Sequence, residues 1–185
     1  GIFAYGTTGS LTAVSNLVGS NGVVASDTSG VGTARSTPGA CEYGGDKGIV
    51  AYGETASVQN MSNLISNSGV IGSDVSGVGT ARNGCAAATY DTDKGIFGFG
   101  YSTGNYGGTN LVSSSGVVAS DVSAVGTARR YPCACEYSAN KDKAIFFGGY
   151  DSGGTTGVTN LVSNSGVVAS DVSAVGTARN GVGAA

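Results

Sequence analysis

The sequence predicts an all-β fold made of four copies of one strand-rich unit, and three observations carry that prediction. The stretch "NLVSNSGVVASDVSAVGTAR", ending at Arg179, has close copies ending at Arg129, Arg82 and Arg35, at spacings of 47, 47 and 50 residues. Self-similarity at a period of roughly 20–50 residues marks a solenoid, propeller or array in which each unit buries its face on its neighbours. Ser, Thr, Val, Ala and Gly dominate, with 34 Gly and 2 Pro among 185 residues, and no long runs of good helix formers occur. Short apolar runs alternate with Asp/Gly and Ser-Gly turn clusters.

The unit after Arg82 gives the elements in order. "CAAATYD" (85–91) is a first strand of small apolar residues, and "TDKG" closes a hairpin. "GIFGFGY" (95–101) is a short apolar run suited to a strand covered on both faces. "STGNYGG" is a variable connection. "TNLVSSS" (109–115) is a third strand, Ser115-Gly116 a tight turn and "VVASDVS" (117–123) a fourth strand. "AVGTAR" then returns the chain to the next unit. Of the three extra residues in the last interval, two fall between Arg129 and Lys143 and one between Lys143 and Asn160, in expected loops.

Four strands in about 47 residues match a propeller blade. A β-helix uses shorter coils, on the order of 20 residues, and ranks behind, as an open repeat array or other solenoid also does. The units run approximately over 1–35, 36–82, 83–129 and 130–179 of a single domain. The sequence opens at Gly1-Ile2-Phe3, a second strand without its first, and "NGVGAA" (180–185) matches the start of a first strand. Closure of the opening unit by 180–185 is therefore expected, and the same cut fits a segment of a longer array. Starting with Gly rather than Met, the chain reads as processed or partial.

Composition narrows function. Apolar content of 40% with 11% charged residues is unlike a solvated disordered chain. Net charge is −3 and no basic stretch exists, which removes the electrostatic basis for nucleic-acid binding. No apolar run reaches the length of about 18 residues that a spanning helix needs, and no secretory signal is present. Without His, neither Ser-His-Asp nor Cys-His nucleophilic systems can be built. Paired carboxylates for glycoside hydrolysis would have to come from Glu42, Glu54, Asp91, Glu136 and Asp151, which are scattered. An enzyme is not expected, nor any cofactor. Cys41, Cys85, Cys133 and Cys135 lack metal-ligand spacing and read as buried small hydrophobes, with a cross-repeat disulfide as the alternative. "DTD" (91–93) lacks the other ligands of a calcium loop.

The apolar strand ending in Gly ("IFAYG", "IVAYG", "IFGFG", "IFFGG"), the preceding Tyr43, Tyr90 and Tyr137, and the Arg after the fourth strand resemble kelch-type β-propeller repeats over essentially the whole chain. The double Gly occurs only at Gly148-Gly149. Val31, Val78, Val125 and Val175 stand near the expected kelch Trp. "TNLVSNSGVVASDVSAVGTAR" with "DKAIFFGGY" looks like repeats of tailed-bacteriophage structural proteins. That likeness implies a virion or extracellular setting and an attachment or decorating role. Its partners would be other structural subunits or host-surface glycans, and the chain part of an oligomer or of a larger chain. A soluble lectin-like propeller with one sugar site per blade is the alternative.

Asp27, Asp74, Asp121 and Asp171 stand eight residues before Arg35, Arg82, Arg129 and Arg179. Asn16, Asn63, Asn110 and Asn160 stand eleven before those Asp. Identical placement in every unit suits scaffold chemistry, satisfying turns and pairing within or between blades, better than a ring of anion sites. A sialidase Asp box is excluded because its Trp is missing. Lys47, Lys94 and Lys143, beside Asp46, Asp93 and Asp142, read as solvated turn charges. Specificity is expected instead where the copies differ most: 7–15, 54–62, 101–109 and 150–159. These loops and the "VGTAR" connections should share one face, with Tyr101, Asn105, Tyr106, Tyr150 and Asp151 as the ligand-binding candidates.

Overall fold

A computed structural model describes residues 1–184, and over them the chain is all-β, with 13 strands in small antiparallel sheets and no helix. Hence no helix is long and apolar enough to cross a membrane. The first unit has β1 (Ile2–Thr7) and β2 (Leu11–Leu17). The second has β3 (Gly39–Tyr43), β4 (Lys47–Ala51) and β5 (Ser62–Ile65) in the order β3-β4-β5. The third repeats that order with β6 (Ala86–Tyr90), β7 (Lys94–Tyr101) and β8 (Asn105–Val112). The fourth has β9 (Cys133–Tyr137), β10 (Lys143–Phe147) and β13 (Thr159–Val162). A two-residue hairpin arm lies outside that sheet, β11 (Tyr150–Asp151) with β12 (Gly154–Thr155).

The apolar run of each full unit forms the middle strand because both its edges are paired and both its faces are covered. In β7, Ile96, Phe97 and Phe99 are wholly buried. Phe97 meets Tyr52 of the preceding unit edge-on at 5.3 Å, and Phe99 meets Phe146 of the following one at 5.1 Å. There is accordingly no common core. Three clusters lie at the three junctions: Ile2, Ala4 and Tyr5 with Val50, Ile65 and Ile71; then Ile49 and Tyr52 with Phe97; then Ile96 and Phe99 with Phe146. Each unit is stable only through its neighbours, the energetics of a stacked repeat.

Two expected elements differ. "STGNYGG" is not all loop, because Gly100 pairs with Tyr106 and Tyr101 with Asn105, extending the β7–β8 hairpin. The fourth strand is not a regular strand. Val117–Ser123 meets β8 only at the bridges Val112–Val118 and Thr109–Val122. Four steps along one segment oppose three along the other, so the ladder must bulge. The Asn110 amide fills the bulge, donating to Ala119 O at 3.0 Å and to Asp121 Oδ1 at 2.9 Å. Asn63 and Asn160 do the same in their units.

The expected closure of the first unit by 180–185 is not formed by the described residues, and Ala185 lies outside them. β1 pairs only with β2, while Gly181 N donates back to Tyr131 O of the fourth unit. All four cysteines are unpaired, so the cross-repeat disulfide is not formed. Burial pushes the Cys41 thiol up to about 12.

Candidate functional site

A repeated staple fixes how one unit presents its neighbour. Thr80, in the "VGTAR" exit of the second unit, donates its backbone N–H (3.0 Å) and hydroxyl (2.7 Å) to the Asp121 carboxylate of the third. Thr33 donates likewise to Asp74, and Thr127 to Asp171. Burial opposes ionisation of these three carboxyls. Hydrogen bonds from the Thr and Asn outweigh it and hold all three below the usual Asp value. Gly32, Gly79 and Gly126 precede those Thr with φ of 75°, 74° and 81°, and a Cβ at any of them would strike the incoming Asp. Asp27 has only Asn16 as partner, at 2.8 Å.

The repeated Arg fills each junction; Arg35 and Arg129 bond across it, whereas Arg82 Nε and Nη2 are buried without a hydrogen-bond partner. Arg35, Arg82 and Arg129 are fully buried, each stacked on an aromatic ring of its own unit: Tyr5 at 4.2 Å, Tyr52 at 3.7 Å and Phe99 at 3.7 Å. Arg129 also donates to Gly148 O and Asn160 Oδ1 across the junction, both at 2.7 Å. Burial lowers its pKa to about 10, which leaves it charged at neutral pH. The ring-bearing residues hold φ of 61–64°, a left-handed conformation costly for a side chain, on the order of 1–2 kcal/mol, and the guanidinium stacking offsets it. The fourth unit has Gly148 there, and Arg179 is exposed.

Directly after each Arg, the copies diverge. Ser36, Asn83 and Arg130 bridge to Glu54, Tyr101 and Tyr150, residues at or just beyond the ends of the middle strands β4, β7 and β10. The "VGTAR" exits and the divergent hairpins therefore lie side by side on one edge. There Glu54, Val58, Asn83, Tyr101, Ser102, Arg130 and Tyr131 line a cleft of about 440 Å³. Asn83 is 5% exposed; its amide donates to Glu54 Oε2 at 2.5 Å, and its Oδ1 is buried without a partner. The Arg130 guanidinium lies between the rings of Tyr101, at 5.1 Å, and Tyr150, at 4.8 Å. Among the described residues no carboxylate pairs with it. Acceptor, donor, cation and aromatic faces thus converge in one concave place on identical scaffolding.

No protein-family model matches the chain, and no curated protein does.

Of the five residues expected from the divergent loops, Tyr101 lines this cleft and Tyr150 flanks it through Arg130. The other three are elsewhere. Tyr106 packs over buried Arg82 at 5.1 Å. Asn105 starts β8 with its Oδ1 buried and unpartnered. Asp151 caps its own turn, accepting from Gly153 N at 2.7 Å. Glu54 lay within a divergent loop but was named only among the scattered carboxylates, whereas Asn83, Arg130 and Tyr131 lay outside the loops. The signal for these three was the sudden drift (Ser36, Asn83, Arg130, Asn180) immediately after the most faithfully copied residue. The turn lysines also differ in detail: Lys47 pairs with Asp46, but Lys94 pairs with Asp91 rather than Asp93.

Proposed function

We propose that this chain is a non-enzymatic structural or adhesive module of a virion or cell exterior. Its units act as kelch-like propeller blades in an open array, and it engages surface glycans through the Arg130 cleft. One observation carries the reading: the side chains facing the cleft differ from unit to unit while the backbone beneath them is repeated. Selection that holds the frame and frees the face suits recognition better than catalysis.

The cleft chemistry names the ligand class. Tyr101, Tyr131 and Tyr150 offer flat faces for the apolar side of a pyranose ring, and Asn83 with Glu54 offers acceptors and donors for ring hydroxyls. Unpaired Arg130 suits a carboxylate, held bidentately by its planar fork. An acidic sugar, a sialic or uronic acid, fits all three.

Titration calorimetry of the 185-residue chain with sialyl and uronyl oligosaccharides and their neutral counterparts tests this. Acidic sugars should bind, and Arg130→Ala or Tyr101→Ala should weaken binding about tenfold or more. Equal binding of neutral sugars, or no effect of Arg130→Ala, would refute the assignment.

A further inference from the structure

The wholly buried Arg35, Arg82 and Arg129 differ in what meets one edge of the guanidinium. Nε and Nη2 form the fork that takes acceptors two at a time. In Arg35 that fork is filled by Tyr52 O at 2.8 Å and Val50 O at 3.3 Å, and in Arg129 by Gly148 O and Asn160 Oδ1, both at 2.7 Å. In Arg82 neither nitrogen has a partner, and its hydrogen bond runs from Nη1 to Thr80 O of its own unit. Asn110, the counterpart of Asn160, is also wholly buried, with Oδ1 unpartnered. Its Nδ2 is committed to Ala119 O and Asp121 Oδ1, which fixes the way the amide faces. At the first seam Asn63 Oδ1 is unpartnered, but the Arg35 fork is filled. Only at the second seam are donors and acceptor left over together.

Two residues of the third unit set this seam apart. The Tyr106 ring lies over Arg82 at 5.1 Å, in addition to Tyr52 at 3.7 Å, where the second and fourth units carry Gln59 and Thr156. Cys85 stands where Pro38 and Pro132 stand: a Cβ on Gly100 would lie 3.3 Å from both Cys85 and the Arg82 stem, as one on Gly53 would from Pro38 and the Arg35 stem. The rings hold the guanidinium by its faces and leave the in-plane fork to find its own acceptor. A buried guanidinium edge and a buried amide oxygen each cost free energy unless hydrogen-bonded. An occupant must therefore accept from Arg82 and donate to Asn110 Oδ1 at once. Chloride or a carboxylate suits the fork but turns negative charge toward that oxygen. Water does both, and two bonds accepted with one donated make the usual total of about three for a buried water.

We propose that the seam between the second and third units is a hydration site, binding one water that accepts from Arg82 Nε and Nη2 and donates to Asn110 Oδ1. Tyr106 and Cys85 hold the fork open for it. The water bridges the same pair of side chains that bond directly at the next seam, Arg129 to Asn160. The site adjoins the cleft, because Asn83, which lines the cleft, follows Arg82 in the chain. It rests on the junction geometry and not on the glycan reading.

Rotating-frame Overhauser transfer from water to the arginine Nε–H protons tests the proposal on the 185-residue chain labelled with 15N-arginine; the sign of the cross-peak separates through-space transfer from proton exchange. Arg82 Hε should show a through-space cross-peak to a long-lived water, and Arg35 and Arg129 Hε should show none. No such cross-peak at Arg82, or equal ones at all three, would overturn the assignment. Replacing chloride by sulfate in the buffer should leave the Arg82 Hε shift unchanged. A shift that follows the chloride concentration would mean that an anion holds the fork, and would overturn it equally. Cys85→Pro combined with Tyr106→Thr gives the third unit the residues of the fourth, and the Arg82 cross-peak should be lost as the fork closes on direct acceptors. Its persistence in the folded double variant would overturn the role given to those two residues. The comparison among the three arginines needs no variant and stands even if the double variant fails to fold.

Discussion

Removing the Asp121 carboxylate and removing the Asp27 carboxylate are the same chemical change at equivalent positions, yet they should differ sharply. Asp121 accepts from Thr80 N, Thr80 Oγ1 and Asn110 Nδ2. At a net contribution of about 1 kcal/mol for each of the three donors, Asp121→Ala should cost about 3 kcal/mol. Asn110 is fully buried and keeps only Ala119 O, which sets this cost at the upper part of that scale. For a chain of this size the change corresponds to a fall in Tm of about 6–12 °C. Asp27 accepts from Asn16 alone, in an exposed setting, so Asp27→Ala should cost about 1 kcal/mol or less. Thermal and urea unfolding of both variants, compared at one protein concentration, measures the difference. Hydrogen exchange at the Thr80 amide gives a local reading: faster in Asp121→Ala, unchanged in Asp27→Ala. Equal losses of stability in the two variants would refute the view that the Asp serves the junction rather than its own turn.

Acid should loosen the same junctions. The folded-state pKa values of Asp74, Asp121 and Asp171 are lowered. Their contribution is therefore complete above the unfolded Asp value of about 3.9 and is lost as pH falls through the lowered values. Stability should drop below about pH 4, and replacing all three by Asn should flatten that part of the acid-unfolding curve; an unchanged curve would count against it. Gly126→Ala and Gly176→Ala share a left-handed backbone, with φ of 81° and 89°. The second should cost about 1 kcal/mol, the conformational term alone. The first should cost about 3 kcal/mol, because its Cβ also collides with Asp171 and Asn160; urea midpoints would separate them.

Much of the architecture was legible because the repeat itself is the architecture. The apolar run with its closing Gly identified the middle strand in each of the three full units, and the period located the units. The fourth strand misled because its Val and Ser look like a ladder. An Asn eleven residues before an Asp turns that ladder into a bulge, and nothing local in "VVASDVS" announces it. The Asp–Arg spacing of eight was visible, but its partners were not: the Thr that Asp121 holds is 41 residues earlier, in another unit. The cleft was half legible. Tyr101 and Tyr150 stood out as aromatic residues in drifting loops. Arg130 and Tyr131 were passed over because they follow a conserved-looking phrase, and only the sheet edge brings them beside Tyr101.

The junction geometry has a consequence for how such a chain can change. Each unit offers a Thr forward and receives with an Asp backward, with a buried Arg stacked on a ring beside them, so every seam uses the same plug and socket. Duplicating or deleting one whole unit in the interior would rejoin a plug to a matching socket and leave no seam unsatisfied. A deletion of part of a unit would orphan a buried guanidinium, a far costlier event. The smallest change in length that the fold tolerates freely is thus a full repeat, and the near-identity of the copied phrases supplies the sequence homology that unequal recombination needs to make it.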